Sequence, residues 1–327
     1  MIYIYIMVKI MKMFGVVVKR KKRIHYSSAQ TPSPINYLVT PLTPYLLCNH
    51  FISTEIHSRS GWKYIGVNLH LRANNLMKNK NNNDIKDFEI IQIQVDLFDF
   101  FCNNVLPIIC KNNVKVIIIT SQWHIPQIQR SHVTDNLLNH KNILFWISQN
   151  PIYQNSDKYM AFPYGICHHQ IKEYAQFLVS NDDSKKKSIK ILNQHAAAHG
   201  HLPNDHIRKT HSIFGINSGN RLGYNEYLTN LSNAEFVIST AGDRDDCYRH
   251  YECIGLNAVP VSNITGNYKC IFDENMVYSN ADEMVTMLET NTVNHVYIKP
   301  NKNIITVSYW ENKIREIIKR ISELDTI

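Results

Sequence analysis

Between Phe236 and Ser262 the chain reads FVISTAGDRDDCYRHYECIGLNAVPVS, which sets a strand, a polar loop, a helix and a second strand in immediate succession. Phe236 to Ile238 is a short apolar β-prone run, and Gly242 with Asp243, Asp245 and Asp246 ends it. Tyr248 to Leu256 then has helical spacing, and Val259, Pro260 and Val261 resume an extended run. Arg249 and Glu252 are three residues apart, so they project from one helical face close to the loop. Gly255 permits a close approach between this helix and a strand.

That succession offers specific chemistry. A helix N-terminus presents unbonded N–H groups and the positive end of the helix dipole to phosphate. Arg249 adds charge-assisted contacts to diphosphate oxygens, and Glu252 is placed to accept ribose hydroxyls. The plain alternative is an intrahelical Arg249–Glu252 pair on a solvated face. Asp245 and Asp246 read as helix caps, with a magnesium or manganese ion as the competing reading.

Bulk properties narrow the partner. A chain of 327 residues suits two domains, each with its own core. A net charge of +8 and a pI near 9.0 favour an anionic ligand, but only 19% of residues are charged. The basic runs Lys19–Arg23 and Lys185–Lys187 lack interleaved aromatic residues and read as solvated surface, so no nucleic-acid partner is expected. Seven dispersed cysteines with no Cys-x-x-Cys pair indicate reduced thiols and a cytoplasmic location. Glycans on the sequons at Asn230 and Asn263 would crowd the motif, which argues against secretion. The apolar first eighteen residues are interrupted by Lys9 and Lys12 and fall short of the roughly 20 that a span needs. A buried strand at Phe14–Val18 is the alternative to a membrane anchor there.

Along the chain, strands are expected at Trp62–Leu69, Ile90–Val95, Val114–Thr120 and Asn142–Ser148, with an exposed tract at Asn74–Asn83. Leu97, Phe98, Phe101, Val105, Ile108 and Ile109 have helical spacing that Pro107 should end or bend. Alternating strands and helices imply α/β domains with mainly parallel sheets, which places Gln122, Trp123, His124, Gln149 and Asn150 at a cleft edge. Tyr159–Ile166 reads as a hinge before a helix at His168–Val179. The second half repeats the pattern: a strand at Ile189–Leu192, a helix at Asn225–Ser232, the opening motif, a strand at Met276–Tyr278 and a helix at Ala281–Leu288. Trp310, Ile314, Ile317, Ile318 and Ile321 mark a C-terminal amphipathic helix.

The order Asn225-Glu226-Tyr227-Leu228, Phe236-Val-Ile-Ser, Gly242, Asp246, Arg249, Glu252, Gly255 and Val259-Pro260-Val261 resembles the exostosin-like glycosyltransferases, with weaker support from Phe162–Gly165. Thr240-Ala241 stands where that family usually has proline, and the loop is unusually acidic. The resemblance implies two facing Rossmann-like domains of GT-B type, divided here as 1–165 on the acceptor side and 166–327 on the nucleotide-sugar side. It implies transfer of a sugar from a nucleotide-sugar donor to a glycan or protein-linked acceptor. A catalytically inactive glycan- or nucleotide-binding protein of the same fold is the alternative. Gly242, Asp246, Arg249, Glu252 and Arg208 are the expected donor-binding residues, and His124 and Asp135 the candidates for a catalytic base. His195, His199 and His201 lie on a stretch broken by Gly200 and Pro203 with no completing carboxylate or cysteine, so no metal and no cofactor is expected.

Overall fold

The computed structural model describes residues 37–52, 85–121, 128–194, 222–242, 244–264, 266–295 and 298–324. The protein is α/β with two parallel sheets. Five strands, β1 (His50–Ile52), β2 (Ile90–Gln94), β3 (Val116–Ser121), β4 (Ile143–Ser148) and β5 (Tyr159–Ala161), lie in sequence order in the first. Four, β6 (Ile189–Leu192), β7 (Ala234–Ile238), β8 (Val259–Ser262) and β9 (Val277–Tyr278), do so in the second. The chain divides into two compact units, Met1–Thr40 with Tyr164–Asn312 and Pro41–Pro163 with Lys313–Ile327. One crossing, at Pro163/Tyr164, lies beside the boundary expected at 165/166; the others fall at Thr40/Pro41 and Asn312/Lys313, so each unit is made from two pieces of chain.

In the five-stranded unit, β2 and β3 are buried along their whole lengths. Such β-branched runs fit a parallel sheet covered on both faces. Ile91, Ile93, Phe98, Phe101, Val116, Ile118, Trp146 and Tyr159 share one core. Full burial of each of the isoleucines contributes about 1.5–3 kcal/mol. The helical run after β2 passes Pro107 without ending: a π-helical stretch at Phe101–Val105 leads into the α-helix Leu106–Lys111. Proline has no N–H to donate, and the wider turn just upstream accommodates it.

Within the expected hinge Tyr159–Ile166, which contains the Pro163/Tyr164 crossing, the first three residues are strand. Tyr159, Met160 and Ala161 are buried and form β5 on the free edge of β4, because pairing satisfies backbone groups that an irregular segment would leave buried and unbonded. Only the following residues turn. Gly165 has φ +86, and a Cβ there would lie 2.2 Å from the Val39 carbonyl oxygen, so glycine is required. Gln149 and Asn150 are also not at an open edge. Both are buried, with Gln149 Nε2 donating to the Pro163 carbonyl at 3.0 Å and Asn150 Nδ2 to that of Ile128 at 2.9 Å.

The four-stranded unit packs Phe236, Ile238, Val259, Val261, Val277 and Met284 into its own core. Asn280 and Glu283 form a capping box at the start of the helix Ala281–Thr290, which ends at Asn291 in the left-handed region. The helix Val307–Leu324 buries Val307, Trp310 and Ile314 and exposes Arg315, Glu316, Lys319 and Arg320. Among the described residues no helix is long and apolar enough to cross a membrane. All seven cysteines are free thiols. The strands expected at Phe14–Val18 and Trp62–Leu69 and the tract Asn74–Asn83 lie outside the described residues.

Candidate functional site

The loop that leaves β7 is fastened from the neighbouring strand. Ser239 N–H donates to the Val261 carbonyl at 2.8 Å, and the Oδ1 of buried Asn263, just past β8, accepts from Ala241 N–H at 2.8 Å. Asn263 thus supports the loop, with no room there for a glycan. Gly242 N–H bonds the Arg244 carbonyl at 2.9 Å, and among the described residues a Cβ at Gly242 would meet nothing within 4 Å. The glycine therefore borders open space. Close by, Thr240 is 2% exposed, and among the described residues its Oγ1 has no hydrogen-bond partner. A buried hydroxyl left in that state costs about 1–3 kcal/mol, so a ligand that reached it would recover the difference.

Asp246 has a different role from the cap expected of it. It is fully buried, and its Oδ1 accepts from Arg244 Nε at 3.1 Å and Nη2 at 2.9 Å. Its Oδ2 accepts from Tyr164 N–H at 3.0 Å and from the Tyr251 hydroxyl at 2.7 Å. The Arg244 guanidinium also lies 4.0 Å over the Tyr164 ring. Four donors occupy the carboxylate, so it holds the loop and is closed to solvent. The N-cap is Cys247 instead, whose N–H donates to His250 Nδ1 at 3.0 Å. His250 is buried, and its Nε2 contacts the Ser239 carbonyl at 2.7 Å. With Nδ1 accepting, Nε2 carries the proton and donates to that carbonyl.

Glu252 sits one turn beyond Arg249 and is 3% exposed. The Tyr224 hydroxyl donates to its Oε1 at 2.7 Å and the Tyr227 hydroxyl to its Oε2 at 2.8 Å. Burial pushes its carboxyl up from the usual range, against the opposing pull of both phenols and of the Arg249 charge. A third tyrosine, Tyr174, donates to the Glu252 backbone carbonyl at 3.0 Å. The close approach expected at Gly255 is made by this residue and not by a strand: an added Cβ would lie 2.1 Å from the Tyr174 hydroxyl and 2.6 Å from Ile305 Cδ1. Arg249 itself is half-buried at the start of the helix.

Asp135 lies in the helix His132–Leu138 of the five-stranded unit, where it accepts from the Tyr153 hydroxyl at 2.6 Å and Arg130 Nε at 3.2 Å. The Tyr153 hydrogen bond, with the Arg130 charge, holds its carboxyl below the usual range. His124, Arg208, His195, His199, His201, Gln122 and Trp123 lie outside the described residues. Among the described residues no group of three or more His, Cys, Asp or Glu side chains is placed to hold a metal ion.

The structure therefore brings Gly242, Asp246, Arg249 and Glu252 onto one strand–loop–helix, with Asp246 turned inward. Sequence reasoning named Tyr227 only within the resemblance and Asn263 only as a sequon, and it missed Tyr224 and Tyr251. The tyrosine pair carried a readable signal, since residues three apart on a helix share a face and here both point at one acid.

The sequence matches no protein-family model. No curated protein matches it either. Among solved structures a weak match is that of the GtfA/B complex, at 8% identity and a TM-score of 0.38 over 77% of this chain and 60% of that one. This chain thus spans less than two thirds of the length of that neighbour.

Proposed function

We propose that this protein is a glycosyltransferase of exostosin-like, GT-B type that moves a sugar from a nucleotide-sugar donor to a glycan or protein-linked acceptor. The strand–loop–helix from Ala234 to Gly255 is its donor half-site. The observation that carries this reading is the Glu252 carboxylate, held by two phenols beside Arg249 on a helix that opens next to unfilled space at Gly242. In this reading the helix N-terminus and Arg249 compensate the diphosphate, where negative charge grows as the bond from the sugar breaks. No metal is needed for that compensation. Glu252 accepts the ribose hydroxyls, while Asp246 acts indirectly by holding Arg244 and the loop.

An acceptor hydroxyl must lose a proton in an inverting transfer. Asp135 is a poor base because its lowered carboxyl is already hydrogen-bonded. We therefore assign that role to His124, with Arg208 as a further phosphate contact. The test is release of nucleoside diphosphate from a panel of nucleotide sugars, with and without acceptor glycans. Release from at least one donor, accelerated by an acceptor, is the expected result. Binding without release from any donor would replace the enzyme by a binding protein of the same fold.

A further inference from the structure

Among the described residues two cysteines face an imidazole, and they stand at opposite ends of their helices. Cys110 Sγ lies 3.6 Å from His140 Nε2, in the last turn of the helix Leu106–Lys111. Cys247 Sγ lies 3.7 Å from His250 Nε2, at the N-cap of the helix Tyr248–Gly255. The N–H end of a helix favours a negative charge and the carbonyl end opposes it, so only the second pair has the dipole on the side of a thiolate. Both cysteines are half-buried.

The other groups around Cys247 are polar. Ser239 Oγ, just past β7, is 3.9 Å from Sγ, and the thiol donates to the Thr240 carbonyl at 3.6 Å. Arg249 bears on the thiol from the same helix, as does Cys253 further along it. Burial pushes the Cys247 thiol up, but the facing His250 and the Arg249 charge outweigh it and bring the thiol down to about 7. Burial raises the thiols of Cys167 and Cys253 and pushes that of Cys102 up to about 11.

We propose that Cys247 is a modification site at which peroxides oxidise the thiolate to a sulfenic acid. This chemistry is independent of sugar transfer. The thiol gives its proton to water, and the thiolate sulfur attacks one peroxide oxygen. An S–O bond forms as the O–O bond breaks, and the departing hydroxide takes up a proton. Sulfur loses two electrons and the peroxide gains them, so a thiol and hydrogen peroxide give a sulfenic acid and water. The added oxygen needs a hydrogen-bond partner. Thr240, whose carbonyl already touches the thiol, carries the one buried hydroxyl among the described residues that has none.

The experiment treats the reduced full chain with hydrogen peroxide at pH 7 in the presence of dimedone, which traps sulfenic acids, and maps the adducts by peptide mass spectrometry. The adduct at Cys247 should form about fivefold faster than that at Cys110. Alkylation of Cys247 by iodoacetamide should show a midpoint near pH 7 in the folded chain and near the ordinary thiol value of about 8.5 in urea. Cys247→Ser places a favoured N-cap residue at this helix start; it should fold, lose that adduct and leave Cys110 unchanged. An adduct that forms at Cys110 as fast as at Cys247, or an alkylation midpoint that is the same in the folded chain and in urea, overturns the proposal.

Discussion

Two acids on the same strand–loop–helix have opposite surroundings. Asp246 in the loop receives four hydrogen bonds, two of them from a buried guanidinium. Glu252 in the helix receives two, both from neutral phenols. The first carboxylate has its needs met and its charge balanced within the protein. The second is held by hydroxyls, and its opposite charge is that of Arg249. Burial alone therefore does not distinguish the two acids; the number and charge of their partners does.

The largest expected effect lies on the Asp246 side. Asp246→Ala leaves the Arg244 charge, 8% exposed, without its carboxylate, and should cost about 3–5 kcal/mol of stability in urea denaturation. A loss under 1 kcal/mol would break the contrast between the two acids. Gly255→Ala comes next, since the new methyl group must displace the Tyr174 hydroxyl or Ile305. A cost of about 1–3 kcal/mol is expected, together with weaker nucleotide binding, because Tyr174 also anchors Glu252.

Glu252→Gln gives a smaller effect with a pH signature. The folded carboxyl is raised, so the native state binds a proton more tightly than the unfolded chain does. Stability from this group is fully present below the unfolded carboxyl pKa and is lost as pH rises through the folded value. Glutamine does not titrate and lacks that slope. The urea midpoint of Glu252→Gln relative to wild type should therefore climb between the acid range and neutrality, and a difference that stays flat with pH would count against the assignment.

Asp135 should show the smallest effect and the opposite sign. Its folded carboxyl is lowered, so its contribution is present above the unfolded pKa and fades as pH falls through the folded one. Asp135→Asn should shift the thermal midpoint slightly near neutrality and leave it unchanged in strong acid. Turnover should be retained, and abolished turnover in a folded variant would reinstate Asp135 as the base.

What could be read from the sequence follows the range of the interactions. β6 lies at Ile189–Leu192 as expected, and β7, β8 and the helix at Ala281 match their apolar patterns, because strand and helix periodicity is local. The partners of the two acids are not local. Tyr164 reaches Asp246 from 82 residues away, and Tyr224 and Tyr227 reach Glu252 from 28 and 25 residues upstream. Local reasoning gave Asp246 to the nearest helix end, whereas tertiary contacts turned it toward Arg244. β5 was hidden for a related reason: Pro163 and Gly165 mark a turn so strongly that the three strand residues just before it read as part of a hinge. The run through Pro107 shows the reverse, a local breaker absorbed by a π turn in a well-packed helix.

The central claim is that Arg249 and Glu252 belong to a nucleotide-diphosphate site. The most direct measurement is the affinity of wild type and Arg249→Ala for a panel of nucleoside diphosphates, by calorimetry on protein whose urea midpoint shows it folded. Loss of a charge-assisted contact should weaken the preferred diphosphate about 10- to 100-fold. Equal affinity in folded Arg249→Ala, or no affinity in wild type for any diphosphate, would contradict it.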